Sequence, residues 1–127
     1  MKIVTINPDA WQASRGYRKN RLLSAEELNQ PGTLLQIVTL PPGNHIPPHA
    51  HRTSIEVYIV THGECDLSVN EETILIKPGD ILLMEPGDVH ALNNRGDGPC
   101  EILVFKTNAG DSDTVWTPAG DGTTPQQ

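Results

Sequence analysis

Turn residues recur along this chain at intervals that leave room for little but short strands. Pro41-Pro42-Gly43, Gly63-Glu64, Asn70-Glu71, Pro78-Gly79-Asp80, Pro86-Gly87-Asp88 and the polar run 93–99 separate brief apolar segments. Glycine supplies left-handed backbone for tight turns, and proline fixes φ and withholds an N–H. Apolar segments punctuated about every 8–12 residues read as an all-β sandwich or barrel. The 11 Gly and 11 Pro among 127 residues agree with that. With one Phe, two Tyr and two Trp, the core must be built mainly from Ile, Leu and Val. The length predicts a single domain with enough chain to bury an ordinary core.

The segments resolve into about ten expected strands. Strands are expected at 2–6, 17–23, 33–40, 45–51, 54–61, 65–69, 73–76, 81–84, 89–92 and 100–106. Residues 11–16 read as loop. Ser24 followed three residues later by Glu27 is a capping-box pattern, so a turn or two of helix should begin there and stop at Pro31-Gly32. The tail from Asn108 is rich in Gly, Asp, Thr and Pro, and is expected to be largely disordered over 108–127. Trp116 is the residue that would pin part of it. No internal repeat is present.

The formal net charge of −7 argues against a nucleic-acid surface, which needs clustered Lys and Arg. Five of the nine basic residues lie between Arg15 and Arg52, but scattered as solvated charges. No run of about 18 apolar residues exists to span a membrane. The apolar piece 3–6 is too short for a secretory signal, and two cysteines, Cys65 and Cys100, make no disulfide framework. The expectation is a cytoplasmic, reducing environment with both thiols free as small buried hydrophobes.

Chemistry concentrates in residues 43–63, which hold four of the five histidines. His49 and His51 are two apart, so on a strand both imidazoles face one side, roughly 7 Å apart at Cα. Both then reach one ion at about 2.0–2.1 Å. Glu56 is five residues beyond His51, an odd offset that would put it on the opposite face of an unbroken strand. The chain must therefore reverse around Arg52-Thr53-Ser54, with Glu56 on a second strand. His90 is the only histidine outside the stretch and the candidate third imidazole. Three His and one Glu leave one or two positions of a six-coordinate ion open, as Lewis-acid or oxygen-activating chemistry requires.

These residues resemble the signatures of the cupins. Gly43-x5-His49-x-His51-x4-Glu56-x6-Gly63 matches the first signature throughout, and Gly79-x5-Glu85-x-Gly87-x2-His90-x3-Asn94 matches the second, with Glu85 where the family usually has proline. The resemblance covers about residues 34–106, to the small single-domain, conserved-barrel type. It implies a cupin-type jelly-roll barrel (double-stranded β-helix) over residues 1–107, with one divalent transition metal ion inside each chain. His49, His51, Glu56 and His90 would hold manganese, iron, nickel, cobalt or zinc, and Gly43, Gly63, Gly79 and Gly87 would be turn residues. Cupins include dioxygenases, decarboxylases, isomerases, lyases and non-catalytic binders, so the fold does not choose among them. The leading expectation is a metal-dependent enzyme acting on a small oxygen-bearing molecule, dioxygenase-like. The alternatives are a non-catalytic or sensory binder and, more weakly, a sugar isomerase, against which the scarcity of basic residues near the pocket counts.

Other residues are weighed against plain structural roles. Tyr58, two beyond Glu56, should point inward, where it either packs or orients a substrate. His45 shares parity with His49 and His51, but prolines intervene and a surface position is expected; His62 is expected at the rim. Gln36 faces either the pocket or solvent. Met84 and Leu92 are core or pocket wall. Glu85 and Asp88 are solvated loop residues or acceptors for an imidazole N–H. Arg52 is expected at the surface. Val57 and Ile59 oppose Glu56 and Tyr58 and need cover, and small cupins often pair through an outer sheet, so a homodimer is expected.

Overall fold

The computed structural model describes residues 1–117. Its strands are β1 (Gln12–Ala13), β2 (Arg18–Leu23), β3 (Leu34–Leu40), β4 (His45–His51), β5 (Ile55–His62), β6 (Cys65–Val69), β7 (Glu72–Ile76), β8 (Ile81–Met84), β9 (His90–Asn93), β10 (Cys100–Thr107) and β11 (Thr114–Trp116). They form two antiparallel sheets facing each other as a jelly roll. One is ordered β1-β2-β3-β10-β5-β8, the other β11-β4-β9-β6-β7. The single helical turn, α1 (Ala25–Leu28), begins at the expected place. Ser24 Oγ accepts the Glu27 N–H at 3.2 Å, and Glu27 Oε1 accepts the Ser24 N–H at 3.1 Å. Asn29 closes it in the left-handed region, φ 53°. No helix among the described residues is long and apolar enough to cross a membrane.

The core lies between the sheets. Alternation along β10 is complete: Cys100, Ile102, Val104 and Lys106 are buried, and the residues between them are half-buried. Leu40, Leu67 and Ile76 fill the interior with no exposed surface, and Trp116 caps it. Cys65 and Cys100 are free, buried in this cluster, with their sulfurs 3.1 Å apart.

Three expectations change. Residues 2–6 form no strand: Ile3, Val4 and Ile6 are exposed. The edge beyond β2 is taken instead by β1, through Gln12 opposite Lys19 and Ala13 opposite Arg18, inside a segment that reads as loop. The tail is ordered as far as it is described. β11 pairs with β4, setting Thr114, Val115 and Trp116 opposite His51, Ala50 and His49. The expectation of disorder beyond residue 117 falls outside the described residues. Pro47-Pro48 also shifts the β4–β9 register between Ile46 and His49. Strand parity resets there, so Ile46 turns inward and His45 stays exposed, although His45 and His49 are an even number apart.

The turn glycines have left-handed backbone, with Gly63 at φ 69° and Gly87 at φ 88°. At Gly63 a Cβ would also come within 2.1 Å of the Pro99 carbonyl oxygen. Both strain and overlap act there, so Gly63→Ala should lower unfolding stability by about 2 kcal/mol or more. Urea denaturation reads this as a lower midpoint; an unchanged midpoint would contradict the clash.

Candidate metal centre

Two strands and a turn deliver three of the four candidate ligands. β4 ends at His51 and β5 begins at Ile55, so the chain breaks over residues 52–54 as the His51–Glu56 offset demands. His49 and His51 turn inward from β4, Glu56 inward from β5, and His90 opens β9 directly opposite His49. All four are buried, at 7%, 4%, 5% and 1% exposure. One ligand atom from each lies within 4.8 Å of the others, a cluster that can hold a metal ion.

Hydrogen bonds outside the cluster decide what its atoms offer. His49 Nδ1 lies 2.8 Å from the Pro47 carbonyl, and His90 Nδ1 lies 2.9 Å from the Asp88 carbonyl. A carbonyl only accepts, so each Nδ1 carries the proton and each Nε2 presents a lone pair inward. His51 Nδ1 faces Thr114 Oγ1 at 3.0 Å and the Asp113 carboxylate at 3.4 Å, which favours the same tautomer. His51 Nε2 is then 2.5 Å from Glu56 Oε1, and His90 Nε2 is 3.3 Å from it. These three atoms have no hydrogen-bond partner despite being buried. Nitrogen lone pairs pressed against a carboxylate repel unless a cation stands between them, and an N₃O donor set suits a divalent transition ion.

Electrostatics agree. Burial, and then the neighbouring His90, lower His49 to about 3, so its imidazole is neutral and free to coordinate. Burial opposes ionisation of Glu56, but His51, His90 and Lys106 hold it well below the usual carboxylate range. Hydrogen bonds from His51 and His90 act this way only when their Nε2 atoms carry protons; with lone pairs there instead, a cation would have to supply the stabilisation. Burial, reinforced by Glu56, pushes the Tyr58 phenol well above its ordinary value, so it remains an O–H donor.

The cluster opens into a cavity of about 40 Å³. Tyr58, Gln36 and Leu92 line it, as do Tyr17, Lys106 and Trp116. Gln36 therefore faces the pocket, and Met84 is core. His45, His62, Arg52 and Glu85 are exposed away from the ligands. Asp88 does accept an imidazole N–H, through its backbone carbonyl and not its carboxylate. That carboxylate accepts the Glu85 N–H at 2.9 Å, a bond that the proline usual at position 85 could not donate.

Lys106, Asp113 and Thr114 are site residues that sequence reasoning missed. Lys106 was legible in principle, since it shares parity with Ile102 and Val104 on an alternating strand. Asp113 gave no signal, lying in the stretch expected to be disordered. It is 1% exposed, and its Oδ1 accepts from Thr53 N at 2.8 Å, Thr53 Oγ1 at 3.0 Å and Ser54 N at 3.1 Å. Ser54 Oγ donates to Oδ2 at 2.5 Å. Burial alone would raise its pKa, but these donors hold it at about 2.

The class defined by this fold and site is a β-barrel with an inward-facing three-histidine, one-carboxylate cluster that could hold one metal ion. The chain belongs to the cupin domain family, whose model matches residues 36–106. It is 32% identical over 83 residues to an oxalate-binding protein of Thermotoga maritima, covering 65% of this chain and 69% of that one. A germin-like protein of Arabidopsis thaliana, subfamily 2 member 1, is 33% identical over 82 residues, 61% of this chain and 37% of that one. Among solved structures, a predicted oxalate decarboxylase from Thermotoga maritima aligns with TM-score 0.68 and 26% identity, over 83% of this chain and 90% of that one. A Cupin 2 conserved barrel domain protein from Salinispora arenicola aligns with TM-score 0.75 and 21% identity, over 86% and 90%, a likeness of fold.

Asp113 orients His51 and closes the 52–54 turn, so Asp113→Asn should weaken divalent-metal affinity by about 10–100-fold. Chelator competition measures this, with circular dichroism to confirm folding. Unchanged affinity in a folded variant would remove Asp113 from the site.

Proposed function

We propose that this chain binds one divalent transition-metal ion through His49, His51, Glu56 and His90, and that the ion's open positions take a small oxygen-bearing ligand. The observation that carries this reading is the convergence of His51 Nε2, His90 Nε2 and Glu56 Oε1, all buried and unpartnered, in one corner. A bound ion there supplies Lewis-acid polarisation or, if redox-active, electron transfer. The chain's own groups do the rest. The carbonyls of Pro47 and Asp88 keep the imidazole lone pairs aimed inward. Tyr58 offers a protonated phenol to a ligand oxygen, and Leu92, Ile102 and Val104 keep that side of the cavity apolar.

With a redox-active ion, oxidative cleavage of the dioxygenase type is the reaction class we propose. Binding without turnover is the second reading, favoured by the small cavity and by the oxalate-binding relative. A cavity of about 40 Å³ gives sugar isomerisation no support. His49→Ala and His51→Ala should each abolish stoichiometric metal, measured by elemental analysis of the purified protein. Full metal content in both would refute the assignment. Oxygen uptake in the presence of candidate small oxyacids separates turnover from binding.

A second copy of the chain is the proposed cover for the outer face of the larger sheet. Two apolar rows cross four strands there, Ile37, Leu103, Ile59 and Ile81, and Leu35, Phe105, Val57 and Leu83; Ile37 is already buried, the middle residues are half-buried, and the uncovered area lies toward β8. Ile81 and Leu83, on the edge strand β8, are 70% and 58% exposed. Light scattering at micromolar concentration should give a dimer mass, and Leu83→Lys should shift it to monomer; a monomeric parent chain would contradict the pairing.

A further inference from the structure

Lys106 stands out among the charged side chains of the interior. It is 4% exposed and lies on β10 between Leu34 and Glu56 of the neighbouring strands. Its ammonium has three protons to donate, yet it makes no hydrogen bond among the described residues. The nearest carboxylate oxygen is Asp113 Oδ2 at 3.8 Å, beyond hydrogen-bond range. That oxygen already accepts the Ser54 hydroxyl, and Asp113 Oδ1 is filled by Thr53 and Ser54. Asp113 therefore balances the charge of Lys106 while leaving its donors free. Lys106 lines the same cavity as His49, His51 and Glu56. An ammonium with open donors at a cavity wall, on a side chain only 4% exposed, is costly unless something in the cavity accepts from it.

Charge points the same way. The buried carboxylates of Glu56 and Asp113 outnumber the Lys106 ammonium by one, so the corner alone carries a single excess negative charge. A divalent ion reverses this to a single excess positive charge. A loaded cavity would then attract anions from two adjacent positive groups, the ion and the Lys106 ammonium beside the Glu56 corner. Val38, Ile46, Leu92, Ile102 and Val104 add apolar wall, which strengthens both charges, while Gln36, Tyr58 and Thr114 bring neutral polar groups.

We propose that Lys106 is the anion-recognition residue of this pocket, and that the ligand is a small carboxylate. Its oxygens would complete the coordination sphere, while an outward-facing carboxylate oxygen accepts from the Lys106 ammonium. This rests on the metal-binding reading above and adds to it a substrate class and a residue that selects it. The neutral alternative, a Lys106 that only offsets Asp113, makes a different prediction. It leaves ligand choice unaffected when the ammonium is removed.

The test uses the manganese(II)-loaded chain and two probes of equal size, oxalate and oxamate, in which a neutral amide replaces one carboxylate. Calorimetric titration should show the parent chain preferring oxalate by about tenfold or more, part of it from the ion's own preference for a dianion and part from the charge-assisted hydrogen bond to Lys106. In Lys106→Met the preference should fall severalfold, to what the ion alone gives, and Lys106→Arg should restore part of it. Manganese affinity and melting temperature are measured on each variant. A Lys106→Met chain that holds manganese and keeps the parent preference would overturn the proposal. So would a parent chain that binds manganese but both probes equally. A parent chain that binds no manganese would overturn the underlying metal reading instead. If Lys106→Met fails to fold, Lys106→Gln carries the same comparison, keeping a donor while losing the charge.

Discussion

The structure depends on one unfavourable arrangement. A carboxylate oxygen and imidazole nitrogens that carry no proton are forced together where water does not reach. Left alone, this repels. It persists because each group is held from behind. The Pro47 and Asp88 carbonyls take the Nδ1 protons of His49 and His90, and the Asp113–Thr114 pair faces that of His51. Each outer contact comes from a different part of the chain: the proline pair within β4, the turn before β9, and the segment entering β11. The barrel concentrates lone pairs where a cation would compensate for them, so the fold and the site are one electrostatic problem.

That view explains how the two faces of β5 are divided. Glu56 and Tyr58 face inward, toward the ion corner and the cavity, while Val57 and Ile59 face outward with Ile81 and Leu83 beside them. A strand buried on one face can be polar on the other. Here the inner face sets Glu56 beside Tyr58 and the core residue Val60, while Val57 and Ile59 make the outer face as apolar as the inner one. Polar groups then stand inside, where ligand chemistry would use them, and part of the apolar area lies on an outer surface.

The legible parts of the sequence were those decided by local rules. The parity of His49 and His51, the break forced between His51 and Glu56, and the Ser24–Glu27 capping box depend only on residues near one another in the chain. What could not be read depended on distant partners. Residues 2–6 have the composition of a strand but lack an edge to pair with, because β1 occupies it. Thr114–Trp116 lies in a polar, Gly- and Asp-rich tail and becomes a strand only because β4 offers it an open edge. The two-proline shift in β4 defeats the even-offset rule that would have placed His45 beside His49. Lys106 fell between these cases. Its alternation with Ile102 and Val104 marks it as inward-facing, but a lysine on an inward parity is read by habit as an exposed strand end.

Asp113 joins the tail to the chemistry. One carboxylate closes the turn that lets Glu56 meet His51, faces the imidazole of His51, and balances the charge on Lys106. These are separate demands on two oxygens, met by dividing the work. Oδ1 is spent on the turn, and Oδ2 faces the histidine and the lysine while accepting Ser54. Because Oδ2 lies 3.4 Å from His51 Nδ1 and 3.8 Å from Lys106 Nζ, a change in charge at one is felt at the other through a single buried atom. An ion held beside His51 and an anion held beside Lys106 would therefore be coupled through Asp113 as well as by direct contact.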